Sequence, residues 1–146
     1  MINKWMITLL LGVMPLLSGC ATGYQDLSNP ILGWKGGYWD KKGPGELIKV
    51  GFAGNMFVEP DKVGSYLLYR CAEIAQREGR EFFVLYESLP AALSDRRSTE
   101  KSVGTVASRP TAYVYILLLE DASGTVLSAN EVITRLKPLV KPEVKS

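Results

Sequence analysis

The stretch from Pro60 to Tyr86, PDKVGSYLLYRCAEIAQREGREFFVLY, sets the fold class. Val63, Leu67, Cys71 and Ile74 recur at spacings of four, four and three, with Leu68 and Ala75 beside them, which makes one apolar face of a helix. Pro60-Asp61 suits a helix start, with Asp61 either as N-cap or as an acid in the first turn. Arg77 suits the last turn and Gly79 the C′ position, so the spacing predicts a helix over 61–78. Glu81 to Tyr86 follows as a largely apolar run, the pattern of a central strand.

Upstream, Glu46 to Ala53 alternates, with Ile48, Val50 and Phe52 on one face, and reads as a half-buried strand. Gly51 and Gly54 in and after it point to a bulge or to close packing. Gly36-Gly37-Tyr38-Trp39-Asp40 opens the domain as a short strand, and residues 41–45 are a turn cluster. Downstream, Ala112 to Leu119 is the strongest β-forming run in the chain. Ser128-Ala129-Asn130-Glu131 fits a capping box, opening a short helix that buries Val132, Ile133 and Leu136 and ends near Pro138. The order predicts an α+β domain: a small, mostly antiparallel sheet with two helices packed on one face. If the strands at 46–53 and 81–86 are parallel neighbours, the helix between them is a right-handed crossover. The domain is expected over residues 36–140, with a mobile tail over 141–146.

The chain has 146 residues, a formal charge of +2 and ordinary globular composition, which suits one domain and gives no reason to invoke nucleic acid. It contains no histidine and only two cysteines, Cys20 and Cys71. That removes His-dependent catalytic sites and His or Cys-only zinc sites, so no metal or cofactor is implied. Cys71 falls on the apolar helix face and reads as a small buried hydrophobe.

The first residues read as an address. Lys4 is followed by an uncharged run from Trp5 to Leu17, too short to span a membrane and interrupted by Pro15. This is the form of a secretory signal. Leu17-Ser18-Gly19-Cys20 resembles the lipobox of bacterial lipoproteins. The resemblance implies a signal peptide over 1–19, a diacylglycerol on the Cys20 sulfur and a mature chain starting at Cys20. Several acyl chains anchor a protein stably where one does so only marginally. Ala21, where inner-membrane lipoproteins commonly carry Asp, implies transfer to the outer membrane. Residues 20–35, rich in Gly, Ser, Asn and Pro, read as a tether reaching about 50 Å when extended. Trp34, Tyr38 and Trp39 at its end could lie at a membrane interface, but the favoured expectation is that they cap a small core.

Gly37-Tyr38-Trp39-Asp40, Phe52-Ala53-Gly54-Asn55, Tyr66-Leu67-Leu68-Tyr69-Arg70-Cys71-Ala72-Glu73, Phe82-Phe83-Val84 and Ser128 to Ile133 together resemble a group of small proteobacterial envelope lipoproteins. In that pattern Cys71 replaces a small residue and Trp39 a small polar one. The resemblance implies the address and an α+β domain. It supplies no activity, substrate or catalytic residue.

Motifs that carry chemistry are weak. Ser98-Thr99-Glu100-Lys101 matches Ser-x-x-Lys, but the companion motifs of penicillin-interacting enzymes are missing. Arg70 and Glu73 suit a surface ion pair, and Tyr66 and Tyr69 the half-buried edges of the helix stripe. Leu89 to Arg109 is long for a structureless loop and carries Arg96, Arg97, Lys101 and Arg109 against Asp95 and Glu100. Arg96, Arg97 and Lys101 are the candidate contacts for an envelope protein or anionic lipid headgroups. The expected function is that of a membrane-anchored periplasmic lipoprotein acting as a binding or scaffolding module, not an enzyme. The competing class is a small-ligand or lipid-binding module with a pocket between helix and sheet.

Overall fold

A computed structural model describes residues 20–31 and 33–143. The signal-peptide reading of residues 1–19 and the end of the expected tail, 144–146, lie outside the described residues. Strands β1 (Gly37–Lys42) and β2 (Ile48–Ala53) form a hairpin in unbroken register from Gly37 opposite Ala53 to Lys42 opposite Ile48. The ladder has no bulge, so Gly51 serves close packing. Helix α1 (Pro60–Arg77) follows, then β3 (Phe82–Tyr86), helix α2 (Leu89–Leu93), β4 (Gly104–Val106), β5 (Arg109–Leu119), β6 (Leu127–Ser128) and helix α3 (Ala129–Val140). The sheet order is β1-β2-β5-β3-β6, with β4 also paired to β5, and every strand pair is antiparallel.

The architecture is therefore α+β, with one difference in topology. β2 and β3 are both antiparallel to β5, hence parallel to each other, but β5 lies between them and they are not neighbours. β5 is central because its eleven residues are long enough to pair with β2 and β4 at one end and β3 at the other. Such long-range pairing leaves no trace in local periodicity.

α1 ends as its sequence predicts. Gly79 has φ +67°, its N–H donates to Gln76 O at 3.0 Å, and Arg80 N–H donates to Ala75 O at 2.8 Å. This is a Schellman closure, cheap only where glycine takes the left-handed position. At the other end the N-cap is Glu59, without a side-chain cap bond, and Asp61 sits in the first turn. α3 opens with Ser128 accepting from Glu131 N–H at 3.4 Å. It continues past Pro138 to Val140, where the sequence predicts an end near Pro138. Proline forfeits one bond so close to the terminus, and the burial of Val140 holds the last turn on the domain.

α1 and α3 pack on one face of the sheet. Val50 and Phe52 of β2, Phe83 and Leu85 of β3, and Val114 and Ile116 of β5 meet Val63, Leu67, Cys71 and Ile74 of α1, all almost fully buried. Each such side chain gains about 1.5–3 kcal/mol by leaving water. The opposite face holds a smaller cluster of Val84, Tyr86, Tyr115 and Ala91, capped by α2.

Three expectations need correction. Leu89 to Arg109 is not structureless. Ser88 caps α2, accepting from Ala91 N–H at 3.3 Å, and Ala91 is buried. β4 and β5 turn through Ala107 and Ser108, both at positive φ. That turn normally takes Asn-Gly, so the residues hid it.

The tether reading also changes. Thr22 is 1% exposed, and Tyr24 packs against Tyr38, Tyr66 and Tyr69 with ring centroids 4.7–5.8 Å apart. Leu27 N–H donates to Tyr38 O and Tyr38 N–H to Gln25 O, laying this segment beside β1. Its apolar and hydroxyl side chains find partners only in the folded domain, so its local composition reads as linker. Finally, Trp34 is 75% exposed and caps nothing, whereas Tyr38 and Trp39 are half-buried.

Candidate functional site

A groove of about 700 Å³ lies between α1, α3 and the segment 99–103. Its apolar lining comes from Leu67 and Leu68 of α1, Leu85 of β3, Leu127 of β6 and Leu136 of α3. Ser65, Thr99 and Ser102 bring hydroxyls, and Asp61, Glu100 and Arg135 bring charge of both signs. Gly64 is the hinge of the shape. A β-carbon there would stand 3.6 Å from Val103 Cγ2 and 3.8 Å from Lys101 O, so any larger side chain would fill the approach between α1 and the segment. The groove is open on one side and chemically mixed. It suits an extended segment with alternating polar and apolar contacts more than an enclosed apolar molecule.

The sequence-predicted residues are not gathered here. Only Lys101 lines the groove. Its ammonium donates to Glu87 O at 3.4 Å and stands 5.9 Å from the Tyr113 ring centroid. Arg97 is turned inward: Nε donates to Asp95 Oδ1 at 2.9 Å and Nη1 to Ser123 O at 2.6 Å. Tyr86 OH also donates to Asp95, at 2.6 Å. The bonds from Arg97 and Tyr86 hold the Asp95 carboxyl below the usual range. Arg96 alone of the three is a plainly exposed side chain. Ser98 and Lys101 are not a nucleophile pair: Ser98 Oγ donates to Glu100 O at 2.7 Å, and the segment is not helical.

The residues missed from sequence are Gly64, Ser65 and Arg135. A glycine inside an otherwise good helix was the available signal, since it costs about 1 kcal/mol against alanine unless something packs on it.

Arg70 and Glu73 pair at 3.4 Å, as their spacing predicts, but within a partly buried network rather than on the surface. Arg70 grips Asp40 Oδ1 through Nε at 3.0 Å and Nη2 at 2.6 Å, and lies 4.3 Å over the Tyr38 ring. Lys141 donates to Glu73 Oε1 at 2.7 Å, and Tyr24 OH donates to Glu73 Oε2. Burial alone would raise the Glu73 carboxyl, but the bonds from Lys141, Tyr24 and Arg70 outweigh it and hold it low. Burial and the Glu73 bond push the Tyr24 phenol up. Tyr66 and Tyr69 are buried, where the helix pattern predicts half-buried edges. The network clamps the N-terminal segment, β1, α1 and the end of α3. It also fixes Lys141, placed in the expected mobile tail.

Cys20 is exposed, with its carbonyl oxygen accepting from Asn55 Nδ2 at 2.9 Å. Among the described residues no helix is long and apolar enough to cross a membrane, and no cluster of three acids or thiols could hold a metal ion. Comparison with protein-family models, with curated proteins and with solved structures finds no match in any of the three.

Proposed function

We propose that the chain is an envelope lipoprotein, anchored through Cys20 to the periplasmic face of the outer membrane, whose domain binds a segment of a partner protein. The observation that carries the binding half is the groove between α1, α3 and residues 99–103, with its leucine lining and charged rim. The anchor rests on Leu17-Ser18-Gly19-Cys20 behind a short apolar run, and the outer-membrane address on Ala21. A photo-crosslinking residue at Ser65, inside the groove, tests this in living cells. Gln76, exposed on the same helix and outside the groove, is the control. A defined protein adduct at Ser65 and none at Gln76 is expected. Equal labelling at the two positions refutes the groove as the binding site.

A second groove favours the small-ligand reading. Leu47, Leu89, Leu93 and Leu117 line about 500 Å³ on the opposite face of the sheet, against α2, and Leu93 is 90% exposed at its rim. An acyl chain or similar apolar ligand suits that lining. Native mass spectrometry of the protein after mild extraction, comparing wild type with Leu93→Asp, reads it out directly.

A further inference from the structure

Among the described residues, one end of the sheet collects four of the large apolar side chains that are left in water. Gly37, Ala53 and Thr111 end the paired rows of β1, β2 and β5 at the same level. Beyond that level lie the turn before β1 with Trp34, the turn after β2 with Met56 and Phe57, and the β4–β5 hairpin with Val106. Trp34, Met56, Phe57 and Val106 are 75%, 67%, 55% and 65% exposed. Burying none of them inside the domain leaves an apolar end that monomeric proteins rarely show unless it meets something.

Hydrogen bonds weld this end to the first residues after the expected cleavage point. Asn55 N–H donates to Thr22 Oγ1 at 2.7 Å, and the Thr22 hydroxyl donates to Lys35 O. Asn55 Oδ1 accepts from Thr22 N–H at 3.2 Å and Phe57 N–H at 3.1 Å, while Asn55 Nδ2 holds Cys20 O. Cys20 is thus two residues from a buried Thr22, with no slack between it and the domain. Two cations, Lys35 beside Trp34 and Arg109 beside the hairpin, suit phosphate headgroups around such a patch.

We infer that this end of the sheet is a bilayer-contact surface, on which the acylated domain sits flush with the membrane instead of ranging on a tether. The inference rests on the lipoprotein reading of Cys20. Acyl chains on that sulfur enter the bilayer beside Asn55, so Met56 and Phe57 arrive at the interface with them. Trp34 is the residue type that settles at that depth. The opposite end of the sheet, where the β1–β2 turn edges the second groove, is left free for partners.

Trp34 and Trp39 are the only tryptophans after residue 20, so each can report alone. The full chain is expressed, extracted in detergent and reconstituted in vesicles of phosphatidylethanolamine and phosphatidylglycerol with brominated acyl chains. In Trp39→Phe, Trp34 fluorescence should be quenched roughly twofold or more, as for a side chain about 5–10 Å into the headgroup and acyl boundary. In Trp34→Phe, Trp39 should be nearly unquenched, since it lies two residues, about 7 Å, from the Gly37 end of β1 toward the opposite end of the sheet. Adding Met56→Ser and Phe57→Ser to Trp39→Phe, both exposed positions, should cut the Trp34 quenching without moving the melting temperature. Mass spectrometry of the same samples reads the acyl chains on Cys20. Acylated protein whose Trp34 is no better quenched than Trp39 overturns the seating and leaves the anchor standing. Protein without acyl chains overturns both.

Discussion

The indole of Trp39 covers Gly51, its register partner across the β1–β2 ladder, so closely that a β-carbon at Gly51 would overlap the ring. Lys41 and Lys49 stand 5.7 and 6.0 Å from the same ring, and Lys49 is 4.0 Å from the ring of Tyr113. The sheet face away from α1 is thus surfaced by aromatics and cations, and glycine at 51 is what lets the largest of them lie down. Gly51→Ala should cost about 1–3 kcal/mol by overpacking. It should also change the near-ultraviolet circular dichroism of the indole. Combining it with Trp39→Ser should recover most of that loss relative to Trp39→Ser alone. A single Gly51→Ala as stable as wild type in urea would show the contact to be loose.

Cys71 is fully buried against the sheet, and burial raises its thiol far above the ordinary range. The reactive thiolate is therefore scarce in the folded state. Native protein should resist a thiol reagent at Cys71 and react once denatured. Cys71→Ala should fold at a cost of about 1 kcal/mol, while Cys71→Asp should cost several by burying an unpaired charge. Rapid labelling of the folded protein would contradict the packing of this helix face.

The stripe that placed Cys71 shows what was legible. α1 was readable because amphipathic period, first-turn acid and C′ glycine agree within one segment, and the observed Pro60–Arg77 lies one residue from the expected span at each end. β2, β3 and β5 were readable from alternation and apolar runs. The insertion of β5 between β2 and β3 was not, because strand order is decided by contacts far apart in sequence. The candidate site was barely legible. Lys101 stood out as a charge, but Gly64, Ser65 and Arg135 become one surface only when α1, α3 and the segment after Ser98 are brought together. Arg97 looked like part of a basic patch because charge counting does not register its bonds to Asp95 and the Ser123 carbonyl.

Those bonds make the three basic residues unequal. Arg96→Ser should leave the melting temperature nearly unchanged, because an exposed charge contributes little. Arg97→Ser should lower stability by about 1 kcal/mol, since it frees the Ser123 carbonyl from a charged donor. Thermal melts of the two single variants check the difference. Identical melts would return Arg97 to the surface.

Stability should fall at both pH extremes through two groups of one partly buried network, the Glu73 carboxylate and the Tyr24 phenol that donates to it. The Glu73 carboxyl is depressed in the folded state, so its contribution is complete above the unfolded value of about 4.5 and is lost as pH falls through the folded value. The Tyr24 phenol is raised, so its contribution is complete below about pH 10 and declines as pH rises beyond that. Glu73→Gln should flatten the acid limb of a stability profile, and Tyr24→Phe the alkaline limb. Denaturant melts across pH measure both. An acid limb unchanged in Glu73→Gln would place the titrating groups elsewhere.

Asn55 decides whether the chain behind Cys20 is part of the domain. Its side chain bonds Cys20 O, Thr22 N–H and Phe57 N–H, and its own N–H bonds the buried Thr22 hydroxyl. Asn55→Ala keeps the last of these but removes the amide, stranding a backbone donor on Thr22 in a buried setting. Each lost bond is worth about 1 kcal/mol, and the unpaired group adds a desolvation cost. The damage should be local, because Thr22 to Leu27 lies along the edge of β1 and the main core is formed by α1, α3 and the sheet. Segments of this kind open below the free energy of global unfolding. Hydrogen exchange should therefore quicken at Leu27 N–H and Tyr38 N–H, the two amides that join the segment to β1. Amides of β5 paired with β3 should stay protected. Unchanged exchange at Leu27 and Tyr38 in Asn55→Ala would mean that the tyrosine cluster around Tyr24 holds the segment without Asn55. Equal acceleration throughout β5 would mean that the segment and the core open as one unit.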